Sequence, residues 1–270
     1  MPLEMPRVTH LRALIDQCSH LLLPGCCVLC GCASNRALDM CPACETSLPL
    51  NLFACAQCAL PLPQNRQPTI SNAGLSAATP DNRKLFCGAC TQRPPAFTRI
   101  VTPFVYRAPI DNLLWQFKFN GNLPAGRVLA RLLAREIERQ INHATLERPH
   151  VLIPVPLSWH RRMRRGFNQA QILARALGQQ IAVPVLDRGI KRSGQPPPQR
   201  GLNRNQRRQN LKSAFRGCEN LGARIEGKSV ALVDDIVTTG STAETLAGLL
   251  CAYGASRVQV WAVARTPLEN

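Results

Sequence analysis

Apolar positions along this 270-residue chain fall into two rhythms. Val230-Ala231-Leu232-Val233 is a short unbroken apolar run, and Val151-Leu152-Ile153, stopped by Pro154 and Pro156, is another. Such runs mark strands covered on both faces of a parallel sheet. Residues 257–264, alternating into Val258, Val260 and Val263, read as a further strand, as do 100–106 and 183–190. Elsewhere the spacing turns helical. Leu129, Leu132, Leu133 and Ile137 oppose Arg131, Arg135, Glu136, Glu138 and Arg139 across 128–141. Residues 111–119, 171–181 and 204–215 (capped near Asn203) read as helices, and Ala243, Leu246, Ala247, Leu249 and Leu250 carry the same spacing after residue 242. Alternating strands and helices predict an α/β fold with a mostly parallel sheet over residues 98–270.

Residues 1–97 follow a different pattern. Leu11, Leu14, Ile15, Cys18 and Leu22 recur at helical spacing, which predicts a short amphipathic helix. Glu4 and Asp16 interrupt it, so it lacks the apolar core of a signal peptide. No stretch approaches the roughly 20 apolar residues that span a bilayer, so membrane insertion is excluded and a cytoplasmic location is expected. Of 13 cysteines, all but Cys218 and Cys251 precede Thr91. In a cytosolic setting they are metal ligands rather than disulfides.

Eight of them form four Cys-x-x-Cys pairs: Cys27/Cys30, Cys41/Cys44, Cys55/Cys58 and Cys87/Cys90. Two residues between thiolates let one tight turn aim both sulfurs, and two such turns complete a tetrahedral four-sulfur site that suits structural zinc. Sequential use of the pairs gives two sites in a double zinc-ribbon-like domain. It is preferred because short loops close at low entropic cost, while a cross-braced arrangement would alternate the pairs. Cys26 and Cys32 are spare. Residues 61–84, rich in Pro, Asn, Ser, Ala and Gln, read as a solvated insertion. Residues 91–98, with Pro94-Pro95, read as a hinge.

The chemistry concentrates at 229–242. Asp234 and Asp235 end the apolar run and emerge at the carboxyl edge, where open α/β sheets bind ligands. Thr238-Thr239-Gly240-Ser241-Thr242 follows, small and hydroxyl-rich, opening a helix. Its backbone N–H groups, hydroxyls and helix N-terminus suit one phosphate, and Gly240 permits the tight turn. The ligand implied has a phosphate at one end and a diol within reach of two carboxylates, as in a ribose 5-phosphate.

Charge adds a polyanionic partner. The formal net charge is +17, and between Trp159 and Arg216 the only acid is Asp187. The basic loop after 151–156, with Arg161, Arg162, Arg164 and Arg165, suits a pyrophosphate. Together with Arg204, Arg207 and Arg208 it also suits a nucleic-acid backbone, with Trp159 or Phe167 stacking on bases. Phe167 fits a core position better. Residues 191–205, without hydrophobic periodicity, read as a loop that closes over a site.

The 229–242 stretch resembles the phosphoribosyl-pyrophosphate (PRPP) motif of type I phosphoribosyltransferases. Further motifs narrow the resemblance: the four Cys-x-x-Cys pairs, Leu114-Trp115-Gln116-Phe117-Lys118-Phe119-Asn120-Gly121, Pro154-Val155-Pro156, Arg165-Gly166-Phe167-Asn168-Gln169, and Gln199, Leu202, Arg207, Asn210 and Phe215. With these in order from Leu22 onward, the chain is identified as a member of the ComF family, the competence and DNA-utilisation proteins that include GntX. The resemblance implies a type I phosphoribosyltransferase fold, PRPP bound with Mg2+, and a role in uptake or use of external DNA beside other competence proteins. It assigns the ribose hydroxyls to Asp234 and Asp235 and the 5′-phosphate to Thr238, Thr239, Gly240, Ser241 and Thr242. Arg161, Arg165, Lys118 and Arg207 are expected at the pyrophosphate or at single-stranded DNA. Two functions remain in play: phosphoribosyl transfer to an acceptor, or PRPP sensing by a DNA-binding accessory protein.

Overall fold

The computed structural model describes residues 25–63, 85–192 and 214–268. The expected N-terminal helix, most of the 61–84 insertion, residues 193–213 and with them Arg207 lie outside the described residues.

Two short helices, α1 (Pro42–Thr46) and α2 (Gly88–Gln92), belong to the cysteine-rich part. The remainder runs β1 (Arg99–Val101), β2 (Phe104–Val105), α3 (Ile110–Phe119), α4 (Leu123–Asn142), β3 (Val151–Pro154), α5 (Trp159–Arg165) and α6 (Gln169–Gln180). It continues with β4 (Ile190–Arg192), β5 (Phe215–Gly217), α7 (Leu221–Ile225), β6 (Ser229–Val237), α8 (Ser241–Ala252) and β7 (Arg257–Arg265). The main sheet has the order β1-β7-β6-β3, with β2 also on β7, and every pairing in it is parallel.

Both faces of this sheet are buried, as the unbroken apolar runs require. Ala231, Val233, Trp261 and Val263 face one core with Leu129, Leu133 and Ile137 of α4 and Leu173 and Leu177 of α6. Val230, Leu232, Val258, Val260 and Ala262 face the other, with Leu246 and Leu250 of α8 and Leu221 and Ile225 of α7. The period of two assigns successive residues to opposite layers. Leu38, Met40 and Leu48 of the cysteine-rich part join the first core, so that part is packed onto α4.

Several expected boundaries shift. Residues 100–106 form two strands rather than one, because Pro103 has no N–H for the ladder. The expected strand 183–190 is reduced to a bridge between Val185 and Leu152, followed by β4. Phe215 opens β5, antiparallel to β4, where a helix was expected to end. The expected hinge is anchored: Ala96 N–H donates to Glu244 Oε2 at 2.9 Å, Thr98 N–H donates to the Val258 carbonyl at 2.8 Å, and Phe97 is buried.

Candidate PRPP site and cysteine tetrads

β6 runs four residues beyond the apolar stretch, so Asp234 and Asp235 lie inside the strand rather than after it. The Asp235 N–H donates to Asp234 Oδ1 at 2.8 Å. Lys118, at the end of α3, places Nζ 3.0 Å from Asp235 Oδ2, with both side chains largely buried. Burial, then the neighbouring Asp235 charge, pushes Asp234 up to about 7 from its ordinary 3.8. Two close carboxylates out of water resist ionising together.

The loop after β6 turns at Gly240, whose φ of +80° is the left-handed region that glycine enters without strain. Thr239 Oγ1 and Ser241 Oγ lie 2.9 Å apart, and the Ser241 N–H donates to Thr239 Oγ1 at 3.3 Å. The first turn of the 12-residue α8 thus gathers amide groups and hydroxyls at one exposed turn.

A residue that hydrophobic patterning could not single out holds this loop. Arg265, 5% exposed at the end of β7, donates from Nη1 to the carbonyls of Val237 and Thr266, each at 3.1 Å, and of Thr238. Its Nε donates to the Cys58 carbonyl at 3.1 Å.

The basic segment after β3 is a helix, α5, not a loop. Its start needs only the extended Ser158, and Gly166 ends it at φ +77°. Arg161 and Arg165 fall one turn apart on it. The Arg165 guanidinium lies 4.8 Å from the centre of the Phe119 ring, and its Nη1 donates to Gln169 Oε1 at 3.2 Å. Burial pulls the Arg165 pKa down, while the charge of Asp235 works the other way, so the arginine senses the acidic pair. Arg165 Nε and Gln169 Nε2 are buried donors without a partner among the described residues. Buried donors left unpaired are unfavourable unless a ligand or water completes them, which fits an anion beside the acidic pair. Gln169, 2% exposed, is therefore a candidate site residue that its place in the Arg165–Gln169 motif signalled only indirectly. Phe167 packs against the core, 5.7 Å from Phe117, as expected, whereas Trp159 is 68% exposed.

The eight paired cysteines gather sequentially. The sulfurs of Cys27, Cys30, Cys41 and Cys44 lie within 4.8 Å of one another, and so do those of Cys55, Cys58, Cys87 and Cys90. Burial raises Cys27, but the backbone amides of Cys30, Cys41 and Leu29 outweigh it and bring the thiol to about 6. Burial likewise opposes the amides of Cys58, Cys87 and Gln57 at Cys55, which settles at about 7. The neighbouring Cys41 thiol, then burial, drives Cys44 up to about 12, and burial leads in raising Cys58 to about 11. Cys27 and Cys55 thus ionise readily while Cys44 and Cys58 resist, as expected of crowded sulfurs that a dication would hold ionised together. Donor set and crowding both fit zinc.

Residues 126–268 match the phosphoribosyl transferase domain family. Over 249 residues the chain is 34% identical to the DNA utilization protein YhgH of Escherichia coli O157:H7, covering 91% of this chain and 99% of that one. It is 38% identical over 179 residues to competence protein F of Haemophilus influenzae, covering 66% and 78%. To competence protein ComFC of Streptococcus pneumoniae it is 28% identical over 162 residues, covering 60% and 66%. The chain belongs to the ComF family.

Its fold is that of a type I phosphoribosyltransferase preceded by a cysteine-rich region. Of the residues expected at the ComF site, the structure brings together Asp234, Asp235, Lys118 and Arg165, with the 238–242 loop at the same sheet edge. Arg161 is exposed on α5, and its charge reaches Arg165 and Arg192. Among the described residues no helix is long and apolar enough to cross a membrane.

Proposed function

We propose that the protein binds PRPP with magnesium and acts in the uptake or use of external DNA. The observation that carries the ligand is the acidic pair on β6 followed, across the Gly240 turn, by the hydroxyl-rich start of α8. Asp234 and Asp235 hold the ribose 2′- and 3′-hydroxyls. Thr238 to Thr242 hold the 5′-phosphate with backbone amides, in the geometry Arg265 keeps. Arg165, with its unpaired Nε, and Lys118 face the pyrophosphate, and Arg161 extends the same positive wall. Magnesium, when bound, supplies neutralisation of the pyrophosphate charge. Catalysis by such a site needs positioning and charge stabilisation as ribose gains oxocarbenium character, with little covalent work from side chains. Each cysteine tetrad holds one structural zinc.

The names of the relatives support the DNA-linked role. A second reading, PRPP sensing by a protein that binds single-stranded DNA, draws on α5. Trp159 and Met163 are 68% and 65% exposed there, among the outward-facing Arg161, Arg162 and Arg164. Basic side chains around an exposed aromatic suit a strand backbone and its bases.

Pyrophosphate release decides between the two. The zinc-loaded protein is incubated with Mg-PRPP and, in turn, free bases, amines and single-stranded DNA. Release that needs one acceptor makes the protein a transferase; PRPP binding with no release under any condition supports the sensor.

A further inference from the structure

An open pocket at the start of α3 is lined by none of the residues assigned to PRPP. Tyr106 stands at the carboxyl edge of the main sheet, its N–H donating to the Arg265 carbonyl at 2.8 Å as β7 ends. α3 runs past the same edge. Its inward residues Ile110, Leu113, Leu114 and Phe117 are buried in the core. Its other face carries Asp111, Trp115 and Lys118, spaced i, i+4 and i+7, so that they stack along one side of the helix. Lys118 touches Asp235 at 3.0 Å. At 1.5 Å rise per residue, Trp115 and Asp111 follow at about 5 and about 10 Å along the axis. Tyr106, Asp111, Asn112 and Trp115 line the pocket.

Its walls are chemically specific. Trp115 is 51% exposed, and its ring sits 5.8 Å from that of Phe119, over which Arg165 lies. A half-exposed indole backed by a second ring is a flat stacking surface rather than part of a core. Asp111 Oδ1 accepts from the Asn112 N–H at 2.6 Å, and Oδ2 has no partner among the described residues. Asn112 Oδ1 accepts from Gln116 Nε2 at 3.3 Å, which leaves its NH2 to donate elsewhere. Burial, then the charges of Asp111 and Asp235, raises the Tyr106 pKa, keeping the phenol a donor at neutral pH. The pocket therefore offers a ring surface, one carboxylate and two neutral donors. That set complements a planar heterocycle bearing an amino group, and the carboxylate repels acidic rings.

We infer that this pocket is the acceptor subsite and takes the ring of an amino-bearing nucleobase, free or carried on a strand. The inference rests on the PRPP reading, because the subsite faces the ribose only if PRPP occupies the acidic pair. With a free base, the lone pair of a ring nitrogen forms the N–C1 bond as the C1–O bond to pyrophosphate breaks. The bonding electron pair leaves with pyrophosphate, and the ring N–H proton passes to Asp111.

The test uses the full-length, zinc-loaded protein. Calorimetry first reads Mg-PRPP binding. Equilibrium dialysis at saturating Mg-PRPP then measures retention of adenine, guanine, cytosine, uracil, orotate and a short oligo-deoxyadenylate. At least one amino-bearing base, or the oligonucleotide, is retained, and uracil and orotate bind at least about tenfold more weakly. Trp115→Ala and Asp111→Asn each weaken the retained ligand about tenfold or more, the size of one lost base stack. Retention of the strand but not of free adenine places the base on DNA, and the reverse makes it a free acceptor. The inference is overturned if Mg-PRPP binds but no amino-bearing base or strand is retained, or if both variants retain the ligand as well as the parent. Absence of Mg-PRPP binding in the calorimetric step overturns the PRPP reading itself and takes this inference with it.

Discussion

Arg265 donates from Nε to the Cys58 carbonyl at 3.1 Å, and its Nη1 reaches the carbonyls of Val237 and Thr238, where the 238–242 loop begins. One guanidinium thus joins the second cysteine tetrad to the loop that would hold the 5′-phosphate. The thiols of Cys58, Cys87 and Cys55 are close enough to favour its charge, although burial pulls its pKa down. Arg265→Leu leaves several buried carbonyls without a donor, costing about 2–4 kcal/mol on the scale of hydrogen bonds to charged groups. Urea unfolding measures this loss. PRPP affinity in the same variant falls about tenfold, equivalent to about 1.4 kcal/mol. Unchanged affinity would show that the loop holds itself.

Metal content separates the two tetrads. Atomic emission should find two zinc ions per chain, and Cys27→Ser or Cys55→Ser should each lose one. Cys55→Ser also weakens PRPP binding, because Cys58 then anchors Arg265 poorly. Cys27→Ser lowers the melting temperature through the Leu38–Met40–Leu48 packing on α4 and leaves PRPP affinity within about twofold, as distant sites act additively. Equal losses of affinity in both variants would contradict this division.

The titration of Asp234 has a defined sign. Its folded pKa, about 7, lies above the ordinary 3.8, so between those values the folded state holds a proton that the unfolded state has lost. Stability from this group is complete below about pH 4 and declines as pH rises to 7, by at most about 1.4 kcal/mol per pH unit. Denaturant titrations from pH 4.5 to 8 should show the decline in the parent and a flatter profile in Asp234→Asn. PRPP affinity runs the opposite way, rising through pH 7 as the carboxylate becomes free to accept from a hydroxyl. Parallel slopes in parent and variant would remove Asp234 as the cause.

Lys118→Met removes the cation from this pair. Two adjacent carboxylates then lack a counter-charge, so the Asp234 midpoint moves further up. Stability at pH 8 falls by about 1–3 kcal/mol, discounted from a fully buried pair because both side chains keep some exposure. The loss is smaller at pH 6, where Asp234 is protonated. A loss independent of pH would assign Lys118 a packing role instead.

Much of the parallel sheet was legible because both-face burial leaves unbroken apolar runs at Val230–Val233 and before Pro154. The turn between β6 and α8 was legible because backbone geometry dictates its residue type at Gly240. Sequential gathering of the cysteines was expected because the first two pairs, Cys27/Cys30 and Cys41/Cys44, lie close in the chain. What escaped was tertiary. Arg265 ends a strand and looks like any surface cation until the fold closes carbonyls around it. Lys118 could not be placed against Asp235 by local pattern, since the two lie on separate elements. The basic run at Trp159–Arg165 has no apolar stripe to mark a helix, because α5 buries none of its residues. The Phe215 strand was missed because its pairing partner, β4, is three residues long and non-local.

Calorimetric titration of the zinc-loaded protein with Mg-PRPP, repeated on Asp234→Asn/Asp235→Asn, tests the central claim most directly. The account predicts saturable one-to-one binding in the parent and at least about a hundredfold loss in the double variant, equivalent to about 2.7 kcal/mol or more. No binding by the parent, or equal binding by both proteins, would contradict it.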